Sequence, residues 1–251
     1  MCIISVSIKQ HEAYPFVMAA NRDEFYHRQS EGLHWWEERD ILAGRDLEQG
    51  GTWLGVNMNG EIAAVTNIRN PDESKQPASR GSLVTSWLED KKQFDEKLKH
   101  PEKFNGYNLL YGTMREVYYT TNGQAPDKKL AEGVHTLSNA NIESAWPKTE
   151  RLRENLLDTH RRNLQGGELE DALLHALENR DMYSGEDLPD TGVGIDLERK
   201  LSPVYIHMDG YGTRCSSIVY ADWEGTITFL EKNQRTKDIR KYKYHVPGLF
   251  D

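Results

Sequence analysis

Two short apolar runs open the chain and leave little choice of architecture. Ile3 to Ile8 is rich in β-branched residues, Phe16 to Ala20 is small and apolar, and the polar His11-Glu12-Ala13-Tyr14-Pro15 lies between them. Runs of this type bounded by turn residues fold as paired strands. A second pair repeats the pattern, with Thr52 to Val56 and Ile62 to Thr66 flanking Asn57-Met58-Asn59-Gly60, whose Asn-Gly step is a strong hairpin signal. Neither of these two runs alternates cleanly between apolar and polar residues, as expected of strands covered on both faces.

Further along, Pro71 to Pro77 is polar, and Ser82 to Lys91 carries Leu83, Trp87 and Leu88 at helical spacing. Tyr107 to Tyr119 returns to strand character with an interruption near Gly112. Thr149 to Leu164 and Leu169 to Leu177 read as helices separated by Gly166-Gly167, with Pro147 just ahead of the first. Pro203 to His207, Tyr211 to Ala221 and Thr226 to Glu231 read as strands, the last two turning at Gly225, and Ser184 to Asp196 reads as a surface loop. The order is strands, a helix, strands, two helices, strands. Regular β-α alternation is missing, which excludes a doubly wound sheet. With no repeat and no linker, the expectation is one α+β domain over residues 1–251, an antiparallel sheet covered by helices.

Composition narrows the function. The formal charge of -9, with acidic and basic residues interspersed, removes bulk attraction to nucleic acid or to an anionic membrane surface. The opening lacks a charged region before a long apolar stretch, and no run approaches the roughly 18 apolar residues of a spanning helix. The expectation is a cytoplasmic protein with no integral membrane segment. Its two cysteines, Cys2 and Cys215, make no disulfide framework, and without HExxH or CxxC patterns no metal site is expected.

Cys2 follows Met1 directly, and a methionine before so small a side chain is normally removable. Removal would leave a thiol and a free α-amine on one residue, with ordinary pKa values of about 8.5 and about 7.7 to 8.0. Nucleophile and base would then be poised together without a histidine; the competing reading is a small buried hydrophobe. Asn21-Arg22-Asp23-Glu24 sits at the end of the second apolar run, and hairpin pairing puts residue 2 opposite residues 20 to 22. Arginine there would favour the thiolate, and a carboxylate would hold the terminal ammonium or fix the arginine. Asn67 and Asn139 each follow a strand-like or turn-like stretch, and their amides suit an oxyanion. Arg214 heads the Tyr211 to Ala221 run. Arg80-Gly81 precedes a helix whose first N–H groups could receive an anion, although a plain turn is the commoner use. Gly50-Gly51-Thr52-Trp53-Leu54-Gly55 lacks a phosphate-loop ending, and the Trp35-Trp36 pair has no basic company to stack nucleic acid.

Together these pieces resemble the NRDE family, the transport-and-Golgi-organization-2 group. Met1-Cys2, Asn21-Arg22-Asp23-Glu24, Gly51-Thr52-Trp53-Leu54-Gly55, Thr66-Asn67 and Ser79-Arg80-Gly81 match in family order. So do Leu137-Ser138-Asn139-Ala140, Trp146-Pro147-Lys148 and Gly212-Thr213-Arg214. The resemblance implies a four-layer α-β-β-α sandwich of two antiparallel sheets, N-terminal nucleophile hydrolase-like, distantly similar to penicillin V acylases and bile salt hydrolases. It implies Cys2 as nucleophile, with Arg22, Asp23, Asn67, Asn139 and Arg214 in the remaining site positions. Because neighbours on a strand face opposite sides, which of Arg22 and Asp23 meets Cys2 stays open. The implied activity is a hydrolase on non-peptide carbon–nitrogen bonds, or an acyltransferase, acting on a small amide or acyl compound without a cofactor. The alternative is a non-catalytic binding or trafficking protein for haem or another apolar or lipid-related ligand, since the family is associated with lipid homeostasis and haem handling. Oligomeric state is left open.

Overall fold

In the computed structural model the first hairpin forms as its apolar runs require. β1 (Cys2–Ile8) pairs antiparallel with β2 (Phe16–Phe25), and Cys2 stands opposite Arg22. The structure describes residues 2–251 apart from 75, 124, 126 and 143, so the expected removal of Met1 falls outside the described residues. β3 (Ser30–Trp35), β4 (Ile41–Asp46), β5 (Leu54–Asn57) and β6 (Glu61–Asn67) follow, then α1 (Gly81–Glu89) and α2 (Lys91–Leu98). Next come β7 (Tyr107–Thr113), β8 (Val117–Thr121), β9 (Lys128–Lys129) and β10 (Gly133–Leu137), then α3 (Pro147–Arg161), α4 (Gly166–Leu177) and α5 (Ile195–Lys200). β11 (His207–Met208), β12 (Tyr211–Ala221), β13 (Thr226–Asn233) and β14 (Ile239–His245) complete the chain.

The strands make two antiparallel sheets. One runs β10-β1-β2-β12-β13-β14 with β11 on β12, and the other runs β3 to β9 in sequence order. Side chains alternate between the faces of a strand, so each strand feeds two cores. Ile4, Val6, Met18, Ala20, Val219 and Phe229 meet Leu42, Val56, Ile62, Ala64 and Leu110 between the sheets. Ile3, Val17, Ala19 and Ile218 pack outward against Leu152 and Leu156 of α3 and Leu169, Leu173 and Leu177 of α4. On the far side, Ile41, Ala43, Ala63 and Leu109 pack against Leu83, Val84 and Leu88 of α1 and Phe94 of α2. The layers are therefore α-β-β-α, as the resemblance implied, and strands covered on both faces explain the absence of alternation.

Several boundaries differ from those the sequence suggested. β2 runs on through Phe25, so Asn21 to Glu24 lie within a strand rather than after it. The Ser82 to Lys91 helix stops at Asp90, whose extended backbone breaks it and whose carboxylate accepts from Lys92 N and Gln93 N to start α2. The interruption near Gly112 is a hairpin turn, making two strands of Tyr107 to Tyr119. Of Pro203 to His207 only His207 is in a strand, the short β11. β3, β4, β10 and β14 carry charged or small residues and offered no apolar run to read. The Asn57-Gly60 hairpin and the turn at Gly225 form as expected, with Gly60 at φ +74.

Candidate active site

A cavity of about 600 Å³ opens at the end of β1 and β2. Its floor is a cross-strand row, because Cys2 pairs with Arg22, Arg22 with Cys215, and Cys215 with Asn233. All four line the cavity. Cys2 shares the face of Ile4 and Val6, and Arg22 that of Met18 and Ala20, so the face between the sheets carries the site. A bulge in β12 between Thr213 and Cys215 puts Cys215, not Arg214, opposite Arg22. Cys2 and Cys215 are both buried free thiols. Their strands are separated by β2, which sets the Cα atoms roughly 9.5 Å apart, beyond disulfide reach.

Burial dominates the Cys2 thiol and raises its pKa. The Asp23 carboxylate pushes the same way, while Arg22 and a backbone hydrogen bond from Asp23 pull it down. The arginine effect expected from the sequence is present but loses to desolvation. Cys2 is thus held as a thiol near neutrality and needs a base when it reacts. Asp23 borders the cavity as well, but its Oδ1 is turned to β12, where it accepts from Thr213 Oγ1 at 2.6 Å. Burial raises its pKa, and Lys148, Thr213 and Arg22 oppose that rise. The role foreseen for Asp23, holding the terminal amine of Cys2, depends on the removal of Met1, which lies outside the described residues. Lys148, near the start of α3, is buried beneath the same strands, with Nζ donating to Leu201 O at 3.1 Å. Desolvation first, then Arg69, pushes its pKa down to about 7, against Asp23, Glu198 and Cys2. Arg69 pairs with Glu198, and Arg69 and Lys148 both lie over the Trp146 ring.

Asn67 ends β6 and lines the cavity, whereas Asn139 lies behind it. Asn139 Nδ2 donates to Asn67 Oδ1 at 2.9 Å and to Asn67 O at 3.2 Å. The Asn67 carbonyl oxygen is thereby occupied, and among the described residues its Nδ2 keeps only a long 3.4 Å contact to Ile68 O. This leaves Asn67 as the amide donor and makes Asn139 the residue that orients it. Ser138 Oγ lies 2.9 Å from Cys2 O and 3.0 Å from Asn139 Oδ1, so it ties this pair to β1. Arg214 reaches the cavity but gives Nη1 to Phe25 O and Arg28 O, both at 2.8 Å. It fastens the β2–β3 turn.

The opposite wall is set by a backbone contact. A Cβ on Gly51 would lie 2.8 Å from Gly81 C, and one on Gly81 would lie 2.9 Å from Thr52 O, so neither position admits a side chain. This contact seats the start of α1, with Arg80 just before it, on the cavity. The motifs at Gly51 and Gly81 were visible in the sequence, but their mutual contact was not. Also unforeseen are Glu24, Arg28 and Glu231. Arg28 donates Nε and Nη2 to Asp46 Oδ2 at 3.0 and 2.5 Å. Glu231 accepts from Leu33 N at 2.8 Å and meets the Cys215 thiol, bridging the two sheets. Burial raises the pKa of both Glu231 and Cys215. Hydrocarbon is confined largely to Trp53, Val65, Pro77 and Ala78. Among the described residues no group of three metal-ligating side chains converges, and no helix is long and apolar enough to cross a membrane.

A family model described as Transport and Golgi organisation 2 matches residues 1–236. The Homo sapiens "Transport and Golgi organization protein 2 homolog" is 32% identical over 97% of this chain and 96% of its own. The Drosophila melanogaster "Transport and Golgi organization protein 2" is 24% identical over 95% of this chain and 94% of its own. Among solved structures, the Caenorhabditis elegans N-acylethanolamine-hydrolyzing acid amidase ortholog superposes with a TM-score of 0.49 at 8% identity, covering 87% of this chain and 92% of that one. A mutant of the conjugated bile acid hydrolase from Clostridium perfringens gives 0.46 at 9% identity, covering 98% of each chain.

Proposed function

The chain belongs to the Transport and Golgi organisation 2 family, and from that premise we propose a cysteine amidohydrolase or acyltransferase acting on a small amide or acyl compound. The observation that carries the reading is Cys2 on the floor of a 600 Å³ cavity, opposite Arg22 and sharing the cavity with an Asn67 amide that Asn139 orients. Once Met1 is removed, the α-amine of Cys2 takes the thiol proton as sulfur attacks the carbonyl carbon. The carbonyl electron pair moves to oxygen, which Asn67 Nδ2 stabilises. As the tetrahedral intermediate collapses, the amine returns the proton to the leaving nitrogen and a thioester remains on Cys2. Water, or an acceptor alcohol or amine, then releases the acyl group and restores the thiol. Arg22 opposes the desolvation of the developing thiolate. No cofactor enters these steps, and two free cysteines suit a reducing, cytoplasmic setting.

A haem or lipid-related ligand is the weaker reading. The wall is mostly guanidinium, carboxylate and amide, and among the described residues it holds no histidine. The test is labelling by an activated ester, p-nitrophenyl butyrate, on protein shown by intact mass to begin at Cys2. One butyryl group should appear on Cys2, persist in Cys215→Ala and vanish in Cys2→Ala. Processed protein that stays unlabelled would overturn the hydrolase reading.

A further inference from the structure

Five arginines reach the cavity, and among the described residues two of them, Arg22 and Arg80, have neither a carboxylate within 3.5 Å nor more than one hydrogen bond. A guanidinium offers five N–H donors in a planar fork. Arg28 is closed by its double hydrogen bond to Asp46, Arg45 donates to Glu38 at 3.2 Å, and Arg214 is committed to two carbonyls. Arg80 is different. Among the described residues its only hydrogen bond is Nη1 to Gly106 O at 3.0 Å, and no carboxylate lies within 4.0 Å. Arg22 makes no hydrogen bond to another described residue, and Glu24 Oε2, its nearest partner, stands 3.7 Å from Nη2. Both arginines are largely withdrawn from solvent. After burial, the Cys2 sulfur is the strongest influence on Arg80, ahead of Glu73 and Glu24.

A guanidinium held away from water without an anion is costly, and a ligand oxyanion relieves that cost most strongly when it bonds the fork bidentately. We propose that Arg22 and Arg80 form a carboxylate clamp, so that the compound handled at Cys2 carries a carboxylate beside its acyl bond, as N-acyl amino acids do. Three features favour a carboxylate. Its planar pair of oxygens matches the guanidinium fork. Its single charge suits a pair already partly offset by Glu24. The backbone contact between Gly51 and Gly81 fixes the segment that carries Arg80, which pre-organises one half of the clamp. Cys2 as the reacting atom is taken from the reading above, but binding itself requires no turnover.

The experiment is calorimetric titration of the full chain carrying Cys2→Ala with three probes: N-hexanoylglycine, its neutral counterpart N-hexanoylglycinamide, and hexyl phosphate. The acid should bind about tenfold or more tightly than the amide, the usual worth of charge-assisted hydrogen bonds. Arg80→Gln should erase that difference while leaving affinity for the amide intact, which also reports a folded protein. Arg80→Lys should restore part of it. Equal binding of acid and amide, a preference that survives Arg80→Gln, tighter binding of hexyl phosphate, or no binding of any probe would each overturn the clamp. The two readings separate in unmodified protein. A carboxylate preference without release of hexanoate would leave the clamp standing and end the hydrolase reading. Hydrolysis of the acid and the amide at equal rates would do the reverse.

Discussion

Lys148→Met should stabilise the protein most at pH 6.5, with the gain fading to nothing near pH 10. The lysine is 2% exposed, and among the described residues its Nζ has one hydrogen bond, to Leu201 O. Burial takes its pKa from 10.5 to about 7, which corresponds to roughly 5 kcal/mol at 1.36 kcal/mol per tenfold. Because the folded-state value is the lower one, between about pH 7 and 10.5 the unfolded chain holds a proton that the folded chain lacks. Stability therefore rises with pH across that window, and below it the full penalty applies. Methionine fills similar volume without charge. It gives up the Leu201 hydrogen bond, worth about 1 kcal/mol; the attraction of Asp23 and Glu198 is already contained in the shift and disappears once the folded-state lysine is neutral. The variant should gain roughly 3 to 4 kcal/mol at pH 6.5, keep about 2 kcal/mol at pH 8.5 and only match the parent near pH 10. Urea unfolding followed by tryptophan fluorescence at pH 6.5, 8.5 and 9.5 reads this directly. A variant less stable at pH 6.5, or a difference that does not move with pH, would refute burial as the dominant effect. It would show instead that the contacts with Asp23 and Glu198 are net stabilising.

Four further outcomes follow from the same geometry. Gly81→Ala should cost about 1 to 3 kcal/mol, because its Cβ would strike Thr52 O at 2.9 Å. Gly167→Ala in α4, where nothing lies within 4 Å, should raise stability by about 0.5 to 1 kcal/mol, and thermal melts distinguish the two. Asn139→Ala should slow labelling of Cys2 by p-nitrophenyl butyrate about tenfold or more by releasing the Asn67 amide; an unchanged rate would remove Asn67 as the oxyanion donor. His160, whose Nε2 lies 2.7 Å from Ser7 Oγ, is pushed by burial from 6.5 down to about 4. Its folded-state value is depressed, so about 2 kcal/mol of stability should drain away as pH falls from 6.5 to 4, after allowance for its partly exposed edge. Denaturant midpoints at pH 7 and pH 4.5 should converge in His160→Gln.

Cys2 opposite Arg22 was legible because an apolar hairpin fixes its own register: a slip of one residue would turn Ile4 and Val6 out of one core and into another. The helices of the outer layers were legible from their leucines. β3 and β14 were not, since Ser30 to Trp35 and Ile239 to His245 are mostly polar and are held as strands by their neighbours. Long-range relations were equally hidden. That Asn139 orients Asn67, or that Gly51 faces Gly81, depends on chain segments brought together only by the stacked sheets. Arg80 was visible as the residue before a helix, but its lack of an ion-pair partner among the described residues is a property of the cavity and not of the local sequence.

The strand pleat explains why Asn-Arg-Asp-Glu appears as one motif yet acts in two places. Asn21 faces α4, donates to Leu177 O at 2.7 Å and Val204 O at 3.0 Å, and accepts from Ser216 Oγ at 2.6 Å. Arg22 turns to the cavity beside Cys2, Asp23 turns back to Thr213, and Glu24 returns to the arginine side. Asn21 anchors β2 to the helical layer, Asp23 ties it to β12, and Arg22 and Glu24 furnish charge to the site. The β12 bulge is part of the same arrangement, because it leaves Asp23 opposite Thr213 while bringing Cys215 level with Arg22. Removing the bulge by deleting one residue would put a different side chain at the cavity floor, so the alternation of β2 can serve the site only while β12 keeps its extra residue.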